Sequence, residues 1–218
     1  MALATNVHLS TQAFTPDSPL MVRVQVFAGA DTTAISLRSI FYHLLRDPSK
    51  LSAAVAEIDA AAAVDKLSYP LTGRKSRLHL PYVNACIKEA LRLHPAVGML
   101  LERHVPLGGA EICGRHIPGG TIVGINPWVV CRDPAVFDQP DDFVPERWIV
   151  DEGAGEKAKE RLVAMERSAA FVFGAGSRVC MGRMLSWIEM RKVVPRLLWE
   201  FEMEFVGDDG LGKGKGRE

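Results

Sequence analysis

Between Met21 and the Asp47-Pro48 pair, Val22, Val26, Ala30, Thr33, Leu37, Ile40, Phe41, Leu44 and Leu45 recur at helical spacing. The run predicts a helix of about 26 residues, roughly 39 Å long at 1.5 Å per residue. A helix of that length crosses a domain, so the rest of the chain has to be arranged around it. With 218 residues there is enough chain for one sizeable core or two small ones. Mid-helix, Ala28-Gly29-Ala30-Asp31-Thr32-Thr33 is an odd choice, since the glycine alone costs about 1 kcal/mol relative to alanine. Gly29 would let a flat or small ligand approach the backbone, and a threonine hydroxyl can divert a backbone carbonyl and open a groove for water. Asp31 and Thr32 then make an acid and alcohol pair able to relay protons. An odd glycine in a helix more often reflects close packing, so the motif alone leaves both readings open.

Further elements follow from punctuation and period. Pro48 opens a second helix that runs through alanines to Ala63, with Val55 and Ile58 on its apolar face. A polar linker through Thr72-Gly73 and Arg77 leads to a third helix, opened by Pro81 and ended near His94-Pro95. Glu111 to Ile117, with Cys113-Gly114 at its middle, reads as a short hairpin, and Thr121 to Ile125 as a strand. Asp133-Pro134 is expected to start a short helix. Glu156 to Glu166 is weakly helical within a charged surface excursion, and a last helix from Met181 to about Phe201 should bend at Pro195.

Two motifs carry chemistry beyond the long helix. Phe173 to Gly182 reads F-G-A-G-S-R-V-C-M-G and places Cys180 in a loop framed by Gly174, Gly176 and Gly182, just ahead of the last helix. A helix starting near Met181 would aim unsatisfied N–H groups at the sulfur and favour a metal-binding thiolate. Arg178 offers a guanidinium fork matched to a carboxylate. A lone cysteine is more often a buried small hydrophobe, and on Cys180 alone that reading is preferred. The second motif, Lys88-Glu89-Ala90-Leu91-Arg92, puts Glu89 and Arg92 on one helical face at i,i+3, an arrangement that is commonplace by itself.

Taken with its spacing, F-x-x-G-x-R-x-C-x-G resembles the haem-binding signature of the cytochrome P450 family. The Glu89/Arg92 motif, then Pro145-Glu146-Arg147-Trp148, then the cysteine loop follow in the order of that family. The resemblance runs from about Met21 to Phe205. It implies a mainly α fold with small β-hairpins, corresponding to the C-terminal half of the P450 fold. It also implies haem b with its iron on the Cys180 thiolate, and Phe173, Gly174, Arg178 and Gly182 against the macrocycle. Arg103 falls where the family places a propionate-binding arginine, with His104 beside it as a substitute, although either could be a surface residue. Glu89, Arg92 and Arg147 would form a buried triad that locks the cysteine loop. Ala28 and Gly29 would lie near the haem, and Asp31 with Thr32 would deliver protons while dioxygen is activated. Cys131 stands where a histidine is frequent, which removes a possible polar contact to the haem edge. Val97 to Leu100 fall where the family lines its substrate pocket.

The activity implied is a haem-thiolate monooxygenase that inserts one oxygen atom from dioxygen into a small apolar substrate, with electrons from NADPH through a reductase. Two alternatives stay open: a non-catalytic truncated remnant with weak or no haem binding, and a peroxide isomerase or dehydratase on the same haem. Family members run to roughly twice this length, so the sequence reads as a truncated chain whose stripped apolar faces would be exposed. We expect an irregular leader over 1–20, the haem-thiolate region over 21–206 and a disordered tail over 207–218. A formal net charge of zero gives no argument for nucleic acid as partner. Locally, Arg178, Arg183, Arg191, Lys192 and Arg196 outweigh Glu189 near the cysteine loop, a basic region that an acidic redox partner could recognise or merely a solvated face. The four cysteines show no zinc-like spacing and fit a reducing compartment. Neither an anchor nor a secretion signal is read in the chain; the resemblance implies the location usual for full-length members, the cytosolic face of the endoplasmic reticulum membrane.

Overall fold

The computed structural model describes residues 19–151, 153–204 and 215–216. Helix α1 spans Pro19–Arg46, starting two residues before the predicted boundary because proline suits a first helical turn. The rest of the expected leader, 1–18, lies outside the described residues. The apolar period of α1 is used unevenly. Ile40 and Leu44 are completely buried, whereas Val26 and Phe27 are 65% and 76% exposed. The helix packs on α2, α4 and α7 as defined below, and among its described side chains the buried ones, Ser36, Ser39, Ile40 and Leu44, all lie in the C-terminal half.

Helix α2, Pro48–Ala63, starts on Asp47, whose carboxylate accepts from the backbone N–H groups of Ser49 and Lys50. It buries Ala54, Ile58 and Ala61 along one stripe. Helix α3, Gly73–His79, occupies the stretch read as a polar linker. Thr72 caps it by accepting from Lys75 N, and its buried residue is Ser76, so the sequence shows no apolar face to betray it. Helix α4, Pro81–Leu93, is the centre of the fold and buries ten of its thirteen residues, Glu89 and Arg92 among them. No side chain next to it caps its start. Instead Glu57 reaches over from α2 and accepts from Tyr82 N and Val83 N at 2.8 and 2.9 Å.

Strand β1, Leu101–His104, pairs antiparallel with β4, Ile122–Ile125, which sets Arg103 opposite Val123. Between them β2, Ala110–Ile112, and β3, Arg115–Ile117, form the expected hairpin. Its two-residue turn has Cys113 and Gly114 at φ 51° and 72°, a primed turn that matches the strand twist. The short helix expected at Asp133-Pro134 is displaced: α5 spans Pro127–Val130. Asn126 caps it by accepting from Trp128 N, and Pro127 fills its first position, while Asp133 folds its carboxylate onto Ala135 N in a turn. Helix α6, Glu156–Ala169, fulfils the weak helical signal and runs three residues further.

Helix α7, Arg183–Glu200, begins after Gly182 rather than at Met181 and carries Pro195 buried in its interior. It packs on α1, α2, α3 and α4 and closes the main core, in which Ile58, Leu80, Ile87, Met190, Val194 and Leu198 are almost inaccessible to water. Within the stretch expected to be a disordered tail, β6, Lys215–Gly216, pairs antiparallel with β5, Phe201–Glu202. Residues 205–214 and 217–218 lie outside the described residues. The fold is thus mainly α with small antiparallel strand pairs. No helix among the described residues is long and apolar enough to cross a membrane.

Candidate functional site

Glu89 is fully buried on α4 and its two oxygens take five hydrogen bonds. Arg92 grips it with Nε and Nη2 at 2.9 and 2.8 Å, the bidentate geometry that makes such pairs strong. Arg147 Nε donates at 3.0 Å, Val144 N at 3.0 Å and the indole Nε1 of Trp148 at 2.8 Å. Arg92 spends its remaining donors on the carbonyls of Cys131, Pro140 and Asp142, and Arg147 uses its own on Asp138 and Gln139. One carboxylate therefore organises the whole irregular segment 131–148, and the predicted meeting of Glu89, Arg92 and Arg147 is present. Trp148 and the Val144 amide complete the cradle. The tryptophan stands in the quoted motif, but a backbone amide leaves no mark in a sequence.

The cysteine loop follows α6. A 3-10 turn, Ala170–Phe173, ends at Gly174 with φ 75° and ψ −174°, a conformation almost restricted to glycine. A Cβ there would stand 3.2 Å from the carbonyl oxygen of Arg178. Gly176 takes φ 64°, and Cys180 N donates to Phe173 O at 2.8 Å, which closes the loop. The Phe173 and Trp187 rings, 6.1 Å apart, hold the loop against α7. Cys180 itself is exposed, and a Cβ on Gly182 would sit 3.9 Å from its sulfur, in ordinary van der Waals contact. Gly182 is the N-cap of α7 and offers no side-chain partner, and the first N–H of the helix, that of Arg183, donates to the Cys180 carbonyl at 3.3 Å.

Cys180 lines a cavity of about 220 Å³ that α1 also lines, through Thr32, Thr33 and Ser36. Phe173, Gly174 and Arg178 also line it, as do Val97 and the α7 residue Ser186. The other predicted residues fall outside it. Arg103 is exposed on β1 and donates to the carbonyls of Glu102 and Ala175, which ties it to the loop but not to the cavity wall. Asp31, Ala28 and Gly29 are exposed on α1, with nothing within 4 Å of a Cβ built on Gly29. Thr32 donates to Ala28 O at 2.8 Å, the carbonyl engagement that its place in the helix suggested. Cys131 is buried with its sulfur toward Ser168 O, away from this cavity. A larger cavity of about 940 Å³ lies along Leu37, Phe41, Trp128 and Leu197 and contains neither Cys180 nor Thr32.

These residues suit a haem. Burial pushes the Cys131 thiol up to about 11 and raises that of Cys86 further, which disfavours their thiolates; Cys113 sits at a hairpin tip. Cys180 is the cavity's thiol. Among the described residues no three His, Cys, Asp or Glu side chains converge to hold a metal, so an iron on Cys180 has to bring its other ligands with it, as a macrocycle does. The cavity is smaller than the ~300–1,000 Å³ of an enclosing ligand pocket. Phe27, Met181 and Met184 are 65% exposed or more nearby in sequence, and the described residues line part of a site rather than enclose it.

A family model described as Cytochrome P450 matches residues 20–213. The cytochrome P450 monooxygenase cicH of Emericella nidulans is 47% identical over 177 residues, covering 81% of this chain and 34% of that protein. A cytochrome P450 monooxygenase of Aspergillus terreus is 43% identical over 179 residues, 82% of this chain and 35% of that protein. The Emericella nidulans protein pkfB is 38% identical over 182 residues, 83% of this chain and 34% of that protein. The chain thus spans about a third of the length of the curated relatives it matches. Because the match extends from the start of α1 past the end of α7 and takes in both the carboxylate cradle and the cysteine loop, the chain belongs to the cytochrome P450 family.

Proposed function

We propose that this chain carries the haem-binding part of a monooxygenase, with Cys180 as the thiolate that would hold the iron. The observation that carries the reading is that an exposed thiol, Cys180, and Thr32 of α1 line one cavity. When bound, a haem held by thiolate supplies the redox chemistry that cleaves dioxygen, because the sulfur pushes electron density toward the O–O bond. The protein's own part is positional. Gly174 and Gly176 hold the loop, Phe173 and Gly182 keep the face over the sulfur flat and uncrowded, and Arg178 at the cavity edge pairs with an anionic substituent of the macrocycle. Arg103 reaches the same edge by rotating from its carbonyl partners. Ala28 and Gly29 leave room beside the helix. Thr32 holds a proton at Oγ1, now shared with the Ala28 carbonyl, and Asp31 exchanges it with solvent. Val97, apolar and on the cavity wall, favours an apolar substrate. Electrons come from NADPH through a reductase that meets the basic residues around the loop, and the location is that of such relatives, the cytosolic face of the endoplasmic reticulum membrane.

The test is turnover under labelled dioxygen with reductase and NADPH. Incorporation of one labelled atom per product supports the reading. Turnover of an organic hydroperoxide without reductase assigns an isomerase or dehydratase instead, and failure to take up one equivalent of haem leaves a non-catalytic chain.

A further inference from the structure

Three hydroxyls of α1 approach the cysteine cavity, and they are satisfied differently. Thr32 donates to Ala28 O and Ser36 to Thr32 O, both within the helix. Thr33 Oγ1 instead lies 3.5 Å from Ser186 Oγ, a residue 153 positions away on α7. Both members of that pair are half-buried and both line the cavity. Ser186 belongs to the first turn of α7, where its N–H donates to Gly182 O at 2.9 Å, and Gly182 is the residue beside the Cys180 sulfur. Nearly two turns further along α1, Ser39 reaches Ala90 O of α4. Helix α1 is therefore tied by hydroxyls at two heights: at Ser39 to the helix of the carboxylate cradle, and at Thr33 to the helix that follows the thiol.

We propose that Thr33 and Ser186 form a hydroxyl link that holds the first turn of α7 against α1, and thereby sets where Cys180 stands relative to Asp31 and Thr32. The pair consists of positioning residues: neither touches the reacting atoms, and their effect reaches the sulfur through Gly182. Thr33 is adjacent in sequence to Thr32, so the link connects the two walls of the cavity at the height where they must act together. Replacing one hydroxyl by a group of similar shape leaves the other without a partner at a half-buried site, while replacing both removes the mismatch. The proposal rests on the haem-thiolate reading for its consequence, but the link is a contact between residues of the chain itself and is measured first without haem.

Hydrogen exchange of the haem-free chain is compared for wild type, Thr33→Val, Thr33→Ser, Ser186→Ala and the double variant Thr33→Val/Ser186→Ala. The Ser186 amide should exchange about fivefold faster in Thr33→Val, return to the wild-type rate in Thr33→Ser, and be no faster in the double variant than in the worse single one. In the haem-loaded protein, Thr33→Val should move part of the ferrous–CO absorbance from the red-shifted thiolate band to the unshifted one, and Thr33→Ser should not. Unchanged exchange in Thr33→Val, equal acceleration in Thr33→Ser and Thr33→Val, or additive effects in the double variant would each overturn the link. Changed exchange with no haem uptake by the wild type would uphold the link and reject the haem reading, so the two claims fail separately.

Discussion

Glu89 and Cys180 stand at the centres of the chain's two motifs, and the fold treats them in opposite ways. The carboxylate of Glu89 is completely buried, and its five donors come from α4 and from the segment Val144–Trp148. Cys180 is exposed, its loop is held by backbone conformation at Gly174 and Gly176, and its nearest helix presents an uncapped N-terminus. The first is a closed polar network whose partners all lie within this chain. The second is an open arrangement that gains from a ligand. A buried charge left partly satisfied is costly, so stability is concentrated in the cradle, while the loop can remain exposed at little cost.

The difference can be broken most severely at Arg92. Arg92→Ala strands the Glu89 charge in the core and removes the anchor of three carbonyls; we expect a loss of about 3–5 kcal/mol, read by denaturant unfolding of the haem-free chain. Trp148→Phe keeps the ring packed on Phe137 but removes one donor to Glu89, with an expected loss of about 1–3 kcal/mol. Full stability in that variant would mean that the other four donors suffice.

A third effect is read against pH. His43 is stacked on Phe143 at 5.0 Å and its pKa is held below the ordinary 6.5 by burial first, opposed by the nearby Glu89 and reinforced by His94, Arg92 and Arg132. The unfolded chain then takes up the proton at a higher pH than the folded one does. His43 therefore makes stability fall as pH drops through 6.5 toward the depressed folded value, and below that value the loss stops growing. His43→Phe should flatten that part of the stability profile, and an unchanged slope would place the titration elsewhere. The smallest expected change is at Cys180: Cys180→Ser should alter the stability of the haem-free chain by less than about 0.5 kcal/mol.

How much of this could be read from the sequence divides along the same line. Helices α1, α2 and α4 were legible because each is long and punctuated, by Pro48, by Pro81 and by the pair His94-Pro95. Helix α3 was not, because it has seven residues and buries a serine; α5 was misplaced because two X-Pro pairs, Asn126-Pro127 and Asp133-Pro134, each offer a helix start and only the first is used. In the cradle, Glu89, Arg92 and Arg147 could be named because the resemblance to the family, carried by side-chain types and their order, implies them. The Val144 amide and the three carbonyls held by Arg92 could not, since backbone groups are the same at every position. The sharing of one cavity by Thr32 and Cys180 depends on how α1 crosses α7, which no local pattern encodes. The same crossing decides that Thr33 meets Ser186 and leaves Asp31 outside the cavity wall.

The most direct measurement of the central claim is the ferrous–CO spectrum of the haem-titrated chain, recorded for wild type and Cys180→Ser at matched folded fraction. The account predicts a red-shifted Soret band at one equivalent of haem for the wild type and its loss in the variant, whose unfolding curve is otherwise unchanged. The same red-shifted band in Cys180→Ser, or its absence from the folded wild type, would contradict it.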